Sequence, residues 1–332
     1  MFTTPIQYIT DAQHIVVIQA ENPDGDSLAS SLALEDLLGN LGKTVTLYCA
    51  IDMPKYLRYC QGWDRVVSDF PYNADLAIIV DTASEALLEK ALATPGVRSF
   101  LSSHPVLVLD HHGENDADDS QNTLQFPHEF VMSGTAAATG ELIYDLAQEA
   151  GWQISPLTAE QLYVSIAADT LGLSTPAATA ATFQVVANLV NAGAIPADVE
   201  LRRREYMKKP ADILTYKGEL IQRIEYHLDG ALATVHVPWE DIQQYSDRYN
   251  PSVLVLDEMR LVDGVQVACA IKTYPDGKLT GKLRSNAPIA DVIAGYFGGG
   301  GHAYSAGFKV HDDYDTVIRE LVTATAKALE SL

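Results

Sequence analysis

Ile15-Val-Val-Ile-Gln-Ala-Glu-Asn-Pro-Asp-Gly-Asp-Ser27 is the stretch on which the reading of this chain turns. Its first four residues are apolar and β-branched, the pattern of a strand buried on both faces. Polar turn residues follow, and then Leu28, Leu32, Leu38 and Leu41 fall on one helical stripe that closes at Gly42. Residues 45–48, 76–80 and 106–109 are further continuous apolar runs. Strands that are apolar throughout, rather than alternating, indicate a mostly parallel sheet with helices on both faces, an α/β architecture. Helical patterns are expected over residues 134–152 and 158–168.

Farther along, Pro196 opens a charged helical stretch that carries Arg202, Arg203, Arg204, Lys208 and Lys209. A solvated helix face accounts for such a run. After Gly230 the pattern turns to strands over residues 231–236, 253–256 and 266–273, with a hairpin turn at Asp276–Gly277. A glycine-rich loop and a terminal helix over 314–332 complete the chain. The organisation expected is a domain over 1–192, a helical linker over 193–228 and a smaller α/β domain over 229–332.

Composition limits the partners. The chain has 332 residues, of which 22 are basic and 44 acidic, for a formal charge of −22. Such a surface repels duplex and other long nucleic acid, which clustered Lys and Arg normally hold. A nucleotide partner must be small, or its phosphates must be met by bound cations. Cys49, Cys60 and Cys269 follow neither a metal spacing nor a disulfide framework, which suits a reducing compartment. No apolar run approaches the ~20 residues that span a bilayer, so no membrane partner and a cytoplasmic location are expected.

The acids fall at the ends of the strands. The first strand leads to Asp24 and Asp26, the run at 76–80 ends at Asp81, the run at 106–109 ends at Asp110-His111-His112, and the helix at 158–168 ends at Asp169. Ligand sites of open α/β sheets lie beyond the carboxyl ends of the strands. Each residue alone has an ordinary explanation: Asp26 as a helix cap, Asp81 as turn chemistry, either histidine as a satisfied core residue. Together they would repel one another unless cations neutralise them. Mixed carboxylate and imidazole ligands suit Mn²⁺, with Mg²⁺, Fe or Co²⁺ as rivals.

These segments carry a resemblance. Asn22-Pro-Asp-Gly-Asp-Ser27, Asp81-Thr82, Asp110-His-His112 with Asn115, and Asp169-Thr170 resemble the successive motifs of the DHH phosphoesterase family. Lys282-Leu-Arg-Ser285 and Gly298-Gly-Gly-Gly-His302 through Ala306-Gly307 resemble its DHH-associated C-terminal domain, in the combination found in nanoRNases. The resemblance implies a metal-dependent phosphoesterase acting on short oligoribonucleotides, linear or cyclic dinucleotides, or nucleoside bisphosphates, with a homodimer as the expected assembly. It implies two Mn²⁺ sites: Asp24 on the first, Asp26 on the second, Asp81 bridging, and His111 and Asp169 completing the second. Asp110 would orient an imidazole, and His112 would face the phosphate. Arg284, Ser285, Gly299, Gly300, Gly301 and His302 would bind substrate.

The pattern breaks in one place that matters. The family's first-site histidine corresponds to Ala20, whose methyl group coordinates nothing. Gln19 and Glu21 point to the other face of an extended chain, and His14 lies six residues back. The segment Ala83-Ser-Glu-Ala-Leu87 also lacks an Arg often found there. Three readings follow: an active phosphoesterase with a weakened first site, a nucleotide-binding module without turnover, or a related inorganic pyrophosphatase. Gly298–His302 argues against the last.

Overall fold

The computed structural model describes residues 2–112, 124–246 and 249–332, with only the backbone of His302. Asn115 lies outside the described residues. The chain divides into two compact units, 1–208 and 209–332. The division falls within segment 193–228, so that its two helices go to different units.

The first unit holds α1 (Thr3–Asp11), β1 (His14–Ile18), α2 (Gly25–Asn40), β2 (Thr44–Tyr48), β3 (Leu76–Val80), α3 (Glu89–Ala93), α4 (Val97–Ser103), β4 (Val106–Asp110), β5 (Glu129–Met132), α5 (Thr139–Ala150), α6 (Pro156–Asp169), α7 (Ala180–Asn191) and α8 (Pro196–Tyr206). The five strands are all parallel, in the order β2-β1-β3-β4-β5. Alternation divides each strand between two cores. Ile15 and Val17 join Leu28, Leu32, Leu142 and Leu162 on one face. Val16 and Ile18 join Leu88, Val97 and Phe100 on the other. Both faces are covered, which is why the strands read as unbroken apolar runs. The strand order reverses between β1 and β3, and the carboxyl ends of those strands border the crevice where doubly wound sheets take ligands.

The second unit holds α9 (Ala211–Gln222), β6 (Glu225–His227), β7 (Leu232–Val237), α10 (Trp239–Tyr245), α11 (Pro251–Arg260), β8 (Val267–Thr273), β9 (Lys278–Ser285), α12 (Ala290–Tyr296), β10 (Gly300–His302), β11 (Ser305–His311) and α13 (Tyr314–Glu330). Its sheet runs β10-β11-β9-β8-β7-β6, antiparallel except for β7 and β8. The Asp276–Gly277 turn joins β8 to β9, with Gly277 at φ +79°.

Three expectations change. Residues 253–256, read as a strand, lie inside α11: Asn250 accepts a hydrogen bond from the Ser252 amide, and Pro251 occupies the first helical turn. A short apolar run is ambiguous by periodicity alone, and the cap decides it. The helix expected from residue 134 begins only at Thr139. Part of the glycine-rich loop is β10, an edge strand paired with β11. The arginine run is a solvated face only in part: Arg203 and Arg204 are exposed and both pair with Glu200, whereas Arg202 is half-buried and pairs with Glu160 of α6.

Candidate metal centre

Backbone geometry aims the acids. Asp24, not Asp26, caps α2: its carboxylate accepts from the Ser27 amide at 2.9 Å, and Ser27 Oγ accepts from the Asp24 amide at 3.0 Å. Asp26 is thereby free to face inward from the first turn, where it is fully buried. Ser30 Oγ donates to its Oδ1 at 2.8 Å, Ser165 Oγ to the same atom at 2.5 Å, and the Thr139 amide to Oδ2 at 2.7 Å. Asp81 leaves β3 at φ +61°, a left-handed conformation costing on the order of 1–2 kcal/mol that Asp tolerates better than most residues. Its amide donates to the Leu109 carbonyl at 2.9 Å, and its Oδ1 accepts from Thr139 Oγ1 at 3.2 Å. Asp169 ends α6, and the three residues after Thr170 all have positive φ: 49°, 73° and 67° at Leu171, Gly172 and Leu173. Strain of this kind concentrates at functional sites.

The four side chains converge. His111 Nε2 lies 2.9 Å from Asp169 Oδ2, 3.6 Å from Asp26 Oδ2 and 3.6 Å from Asp81 Oδ1. One ligand atom from each of Asp26, Asp81, His111 and Asp169 lies within 4.8 Å of all the others. His111 Nε2 is buried and, despite its nearness to Asp169, not aligned for a hydrogen bond. Three carboxylates around one imidazole nitrogen make a donor set that a divalent transition metal takes. Asp81, His111 and His112 form a second, overlapping group of the same span. Asp110, almost wholly buried, accepts at Oδ1 from the His112 amide (3.2 Å) and meets His112 Nδ1 at 2.7 Å.

Without a counter-ion this arrangement works against itself. Burial, then the neighbouring Asp169 and Asp26, raise the Asp24 carboxyl to about 6. Burial, Asp26, Asp24 and Asp169 hold Asp81 well above the usual carboxylate range. Asp169 is raised by burial and by Asp26, although His111 opposes the shift. Burial alone would lower His111, but the Asp169 contact and the surrounding carboxylates outweigh it and raise the imidazole to about 9. Acids that retain protons and an imidazole that gathers one are what a cation would replace. The residues present fit a divalent ion.

Asp24 belongs to neither convergent group. Ala20 is buried, and its carbonyl accepts from Cys49 Sγ at 3.4 Å. Glu21 accepts from the Lys90 amide, and His14 is exposed at the far end of β1. Neither neighbour is positioned to take over from the missing histidine.

In the second unit, Arg284, Gly299, Gly300 and Gly301 line a cavity of about 640 Å³. Arg284 Nη1 donates to the Leu283 carbonyl at 3.0 Å and to Ser305 Oγ. Ser285 is not among the lining residues. It is buried, and its hydroxyl donates to the carbonyls of Gln266 (3.0 Å) and Ala287 (2.6 Å), because alternation turns it away from Arg284. His302 lies in β10. The glycines have a packing reason of their own: a Cβ at Gly299 would stand 2.2 Å from the Gly307 carbonyl, and one at Gly301 would stand 2.5 Å from Ala306 Cα.

Sequence reasoning passed over Thr139, Ser30 and Ser165, which hold Asp26 and Asp81 in place. For Thr139 the signal was the run of small residues Ser133-Gly-Thr-Ala-Ala-Ala-Thr-Gly140. At Gly140 a Cβ would collide with Ser165 Oγ at 2.1 Å, and at Gly25 one would meet Ala168 Cβ at 2.5 Å. Close helix approach needs those glycines.

Residues 14–173 match the model of the DHH family, N-terminal domain. Over 313 residues the chain is 27% identical to the bifunctional oligoribonuclease and PAP phosphatase NrnA of Thermus thermophilus, covering 93% of this chain and 88% of that protein. An exopolyphosphatase-related protein of Bacteroides fragilis has a similar structure, with a TM-score of 0.82 at 20% identity over 99% of this chain and 95% of that one. RecJ of Thermus thermophilus, solved in complex with Mn²⁺, has a TM-score of 0.57 at 15% identity, over 98% of this chain and 54% of that one. The two solved structures share the fold.

Proposed function

We propose that this chain, which belongs to the DHH family, hydrolyses phosphoester bonds in small phosphorylated nucleotides with a divalent cation held by Asp26, Asp81, His111 and Asp169. The observation that carries this reading is the convergence of three carboxylates and one imidazole within 4.8 Å, where the neighbouring acids help to raise Asp81. Carboxylate and imidazole donors together suit Mn²⁺, with Mg²⁺ or Co²⁺ as rivals. An ion there would supply Lewis-acid charge that polarises a phosphoryl oxygen and brings water within reach of ionisation at neutral pH.

The chain's own residues do the rest. Ser30, Ser165 and Thr139 hold the Asp26 and Asp81 carboxylates, so the oxygens need not reorganise during the reaction. Asp110 holds Nδ1 of His112, so any proton that this imidazole exchanges with substrate passes through Nε2. In the second unit, Arg284, Gly299, Gly300, Gly301 and His302 bind substrate phosphate, while Ser285 buttresses their strand. The relative's action on oligoribonucleotides and PAP supports short oligoribonucleotides, dinucleotides or nucleoside bisphosphates as the substrate class. The charge of −22 supports the same choice over duplex nucleic acid. The first metal site is weakened, with Asp24 its remaining acid and Ala20 contributing no donor.

Hydrolysis of a 5′-phosphorylated diribonucleotide with Mn²⁺, with Asp81→Ala as the control, tests this. Turnover that the control abolishes is expected. No turnover with any divalent ion, while the dinucleotide still binds, would favour the second reading that Ala20 motivates: a nucleotide-binding module.

A further inference from the structure

The chain's 22 basic residues are unevenly placed: between Arg98 and Arg202 there is no Lys or Arg at all. Two helices of this stretch, α5 and α7, end at a common cavity in the first unit. Its volume is about 420 Å³, within the range of small-molecule sites. The walls come from the last turns of both helices and from the segment that follows α5, and include Tyr144, Gln148, Trp152, Gln153, Asn188 and Leu189. No lining residue is charged. The cavity is separate from the metal centre: Thr139, which holds Asp26 and Asp81, opens α5, and Gln148 stands roughly 13 Å farther along the helix axis.

Both helices bring their negative ends to it. Aligned peptide dipoles leave about half an elementary negative charge at a helix carboxyl terminus, which Lys, Arg or His in the last turn favourably offsets. Neither α5 nor α7, each of 12 residues, has a basic residue there. Gly151 closes α5 at φ +70°, and the Trp152 amide donates back to the Ala147 carbonyl at 2.9 Å, which fixes Trp152 at the helix end. At the end of α7 the Ala194 amide donates in the same way to the Leu189 carbonyl at 3.0 Å. Tyr144 is held too: its hydroxyl accepts from Asn188 Nδ2 at 2.9 Å, and Asn188 Oδ1 accepts from Gln184 Nε2 at 3.1 Å. The side-chain amides of Gln148 and Gln153 make no hydrogen bond among the described residues, so their oxygens are available to a ligand.

Sign, rings and acceptors together select the ligand. An anion would meet two negative helix ends and no cation. A metal ion would find no carboxylate, imidazole or thiolate in the lining. An organic cation gains from the helix ends and from the faces of Trp and Tyr, the usual partners of ammonium ligands. We infer that this cavity binds a small organic ammonium ion, its nitrogen against Trp152 and Tyr144 between the two helix ends. The amide oxygens of Gln148 and Gln153 meet its remaining donors. The inference stands apart from the phosphoesterase reading, and neither depends on the other.

The test is calorimetric titration of the full chain with choline and with 3,3-dimethylbutan-1-ol, an uncharged molecule of the same shape. Choline is expected to bind about tenfold tighter or more, since the charge is the only difference. Ethanolamine is the primary-amine probe, and binding of either ammonium supports the inference. Trp152→Leu should weaken choline about fivefold, and Trp152→Phe should recover most of the loss. Ala192 lines the cavity where α7 ends. Ala192→Lys tethers an ammonium there, so choline binding should vanish while the melting temperature holds or rises. Ala192→Met, uncharged and of similar length, should keep the preference for choline. Equal affinity for choline and its uncharged counterpart, or equal loss in the Lys and Met variants, would overturn the inference. So would no binding of choline or ethanolamine up to about 10 mM.

Discussion

The acid pocket of the first unit and the basic cavity of the second are opposite answers to the same electrostatic problem. Each gathers like charges, and each is unfavourable until something of the other sign arrives. The pocket is scaffolded. Asp26 is fully buried and takes hydrogen bonds from Ser30, Ser165 and Thr139, so its oxygens are fixed before any ion binds. The second unit's cavity is open, and the cations that line it, Lys272, Lys282, Arg284 and Lys309, bond only to neutral groups among the described residues: Lys272 to the Asn250 amide oxygen, and Arg284 to the Leu283 carbonyl and the Ser305 hydroxyl. Fixed carboxylate oxygens suit a cation of defined coordination geometry, whereas long cationic side chains suit an anion through their charge.

Removing a ligand from the pocket should have the largest effect. Asp81→Ala takes away an oxygen central to both convergent groups, and several kcal/mol of transition-state stabilisation go with it. Steady-state hydrolysis of the 5′-phosphorylated dinucleotide should fall by about 10³-fold or more, with loss of high-affinity Mn²⁺ binding in calorimetry. Retained turnover would break the comparison, since the pocket would not be the reacting centre. Ser165→Ala should do less. It removes one donor to Asp26 and leaves the Gly140 amide without its 2.9 Å acceptor. A supporting contact of that kind typically changes metal affinity 10–100-fold. A change within twofold would mean that the pocket is less scaffolded than its geometry implies.

How far each region could be read in advance follows from the same difference. The pocket's ligands were legible because Asp81 and His111 follow apolar strands, Asp26 opens the helix after β1 and Asp169 closes α6, places where topology gathers side chains. Its scaffold was not. Ser165 matters only because α5 and α6 approach closely at Gly140, and that contact is a tertiary fact. The cap was left open for a local reason: in Asp24-Gly-Asp26 either acid could have accepted from the first turn, and the Ser27 capping box settles it on Asp24. The basic cavity was half legible. Arg284 and the glycines stood out as a motif, but Lys272 and Lys309 are far apart in sequence and meet only through the register of β8, β9 and β11. The misread run at 253–256 belongs to the same class, a buried helix whose start at Asn250-Pro251 carried more information than its apolar core.

A smaller effect tests whether the pocket is built for one ion. Ala20→His should restore a donor beside Asp24 and raise the Mn²⁺ stoichiometry from one towards two per chain in calorimetry. In the parent chain, Asp24→Asn should then weaken metal binding less than Asp26→Asn, because Asp24 lies outside the convergent group. An unchanged stoichiometry in Ala20→His, or the reverse order of the two Asn variants, would mean that another side chain has already rebuilt the first site.

The smallest effect is one of pH, and its sign separates the pocket from an ordinary salt-bridged cluster. Paired carboxylates usually titrate low, so their stability is lost as pH falls. Here the folded Asp24 titrates at about 6 against an ordinary 3.8, with Asp81 and Asp169 also raised. A raised carboxyl favours the fold below about 4 and loses that contribution as pH rises through 6. His111, raised to about 9 from 6.5, contributes below 6.5 and loses its part as pH rises through 9. Both losses run the same way, so in EDTA the pocket's contribution to stability should decline from pH 5 to pH 8. A divalent ion replaces the departing protons and stabilises the folded state by mass action. The rise in melting temperature on adding Mn²⁺ should therefore be several degrees larger at pH 8 than at pH 5, and the difference should vanish in Asp81→Ala. An equal rise at both pH values would show that the ion displaces no protons there, and the carboxylates would have to be ionised and stabilised by some contact other than a metal.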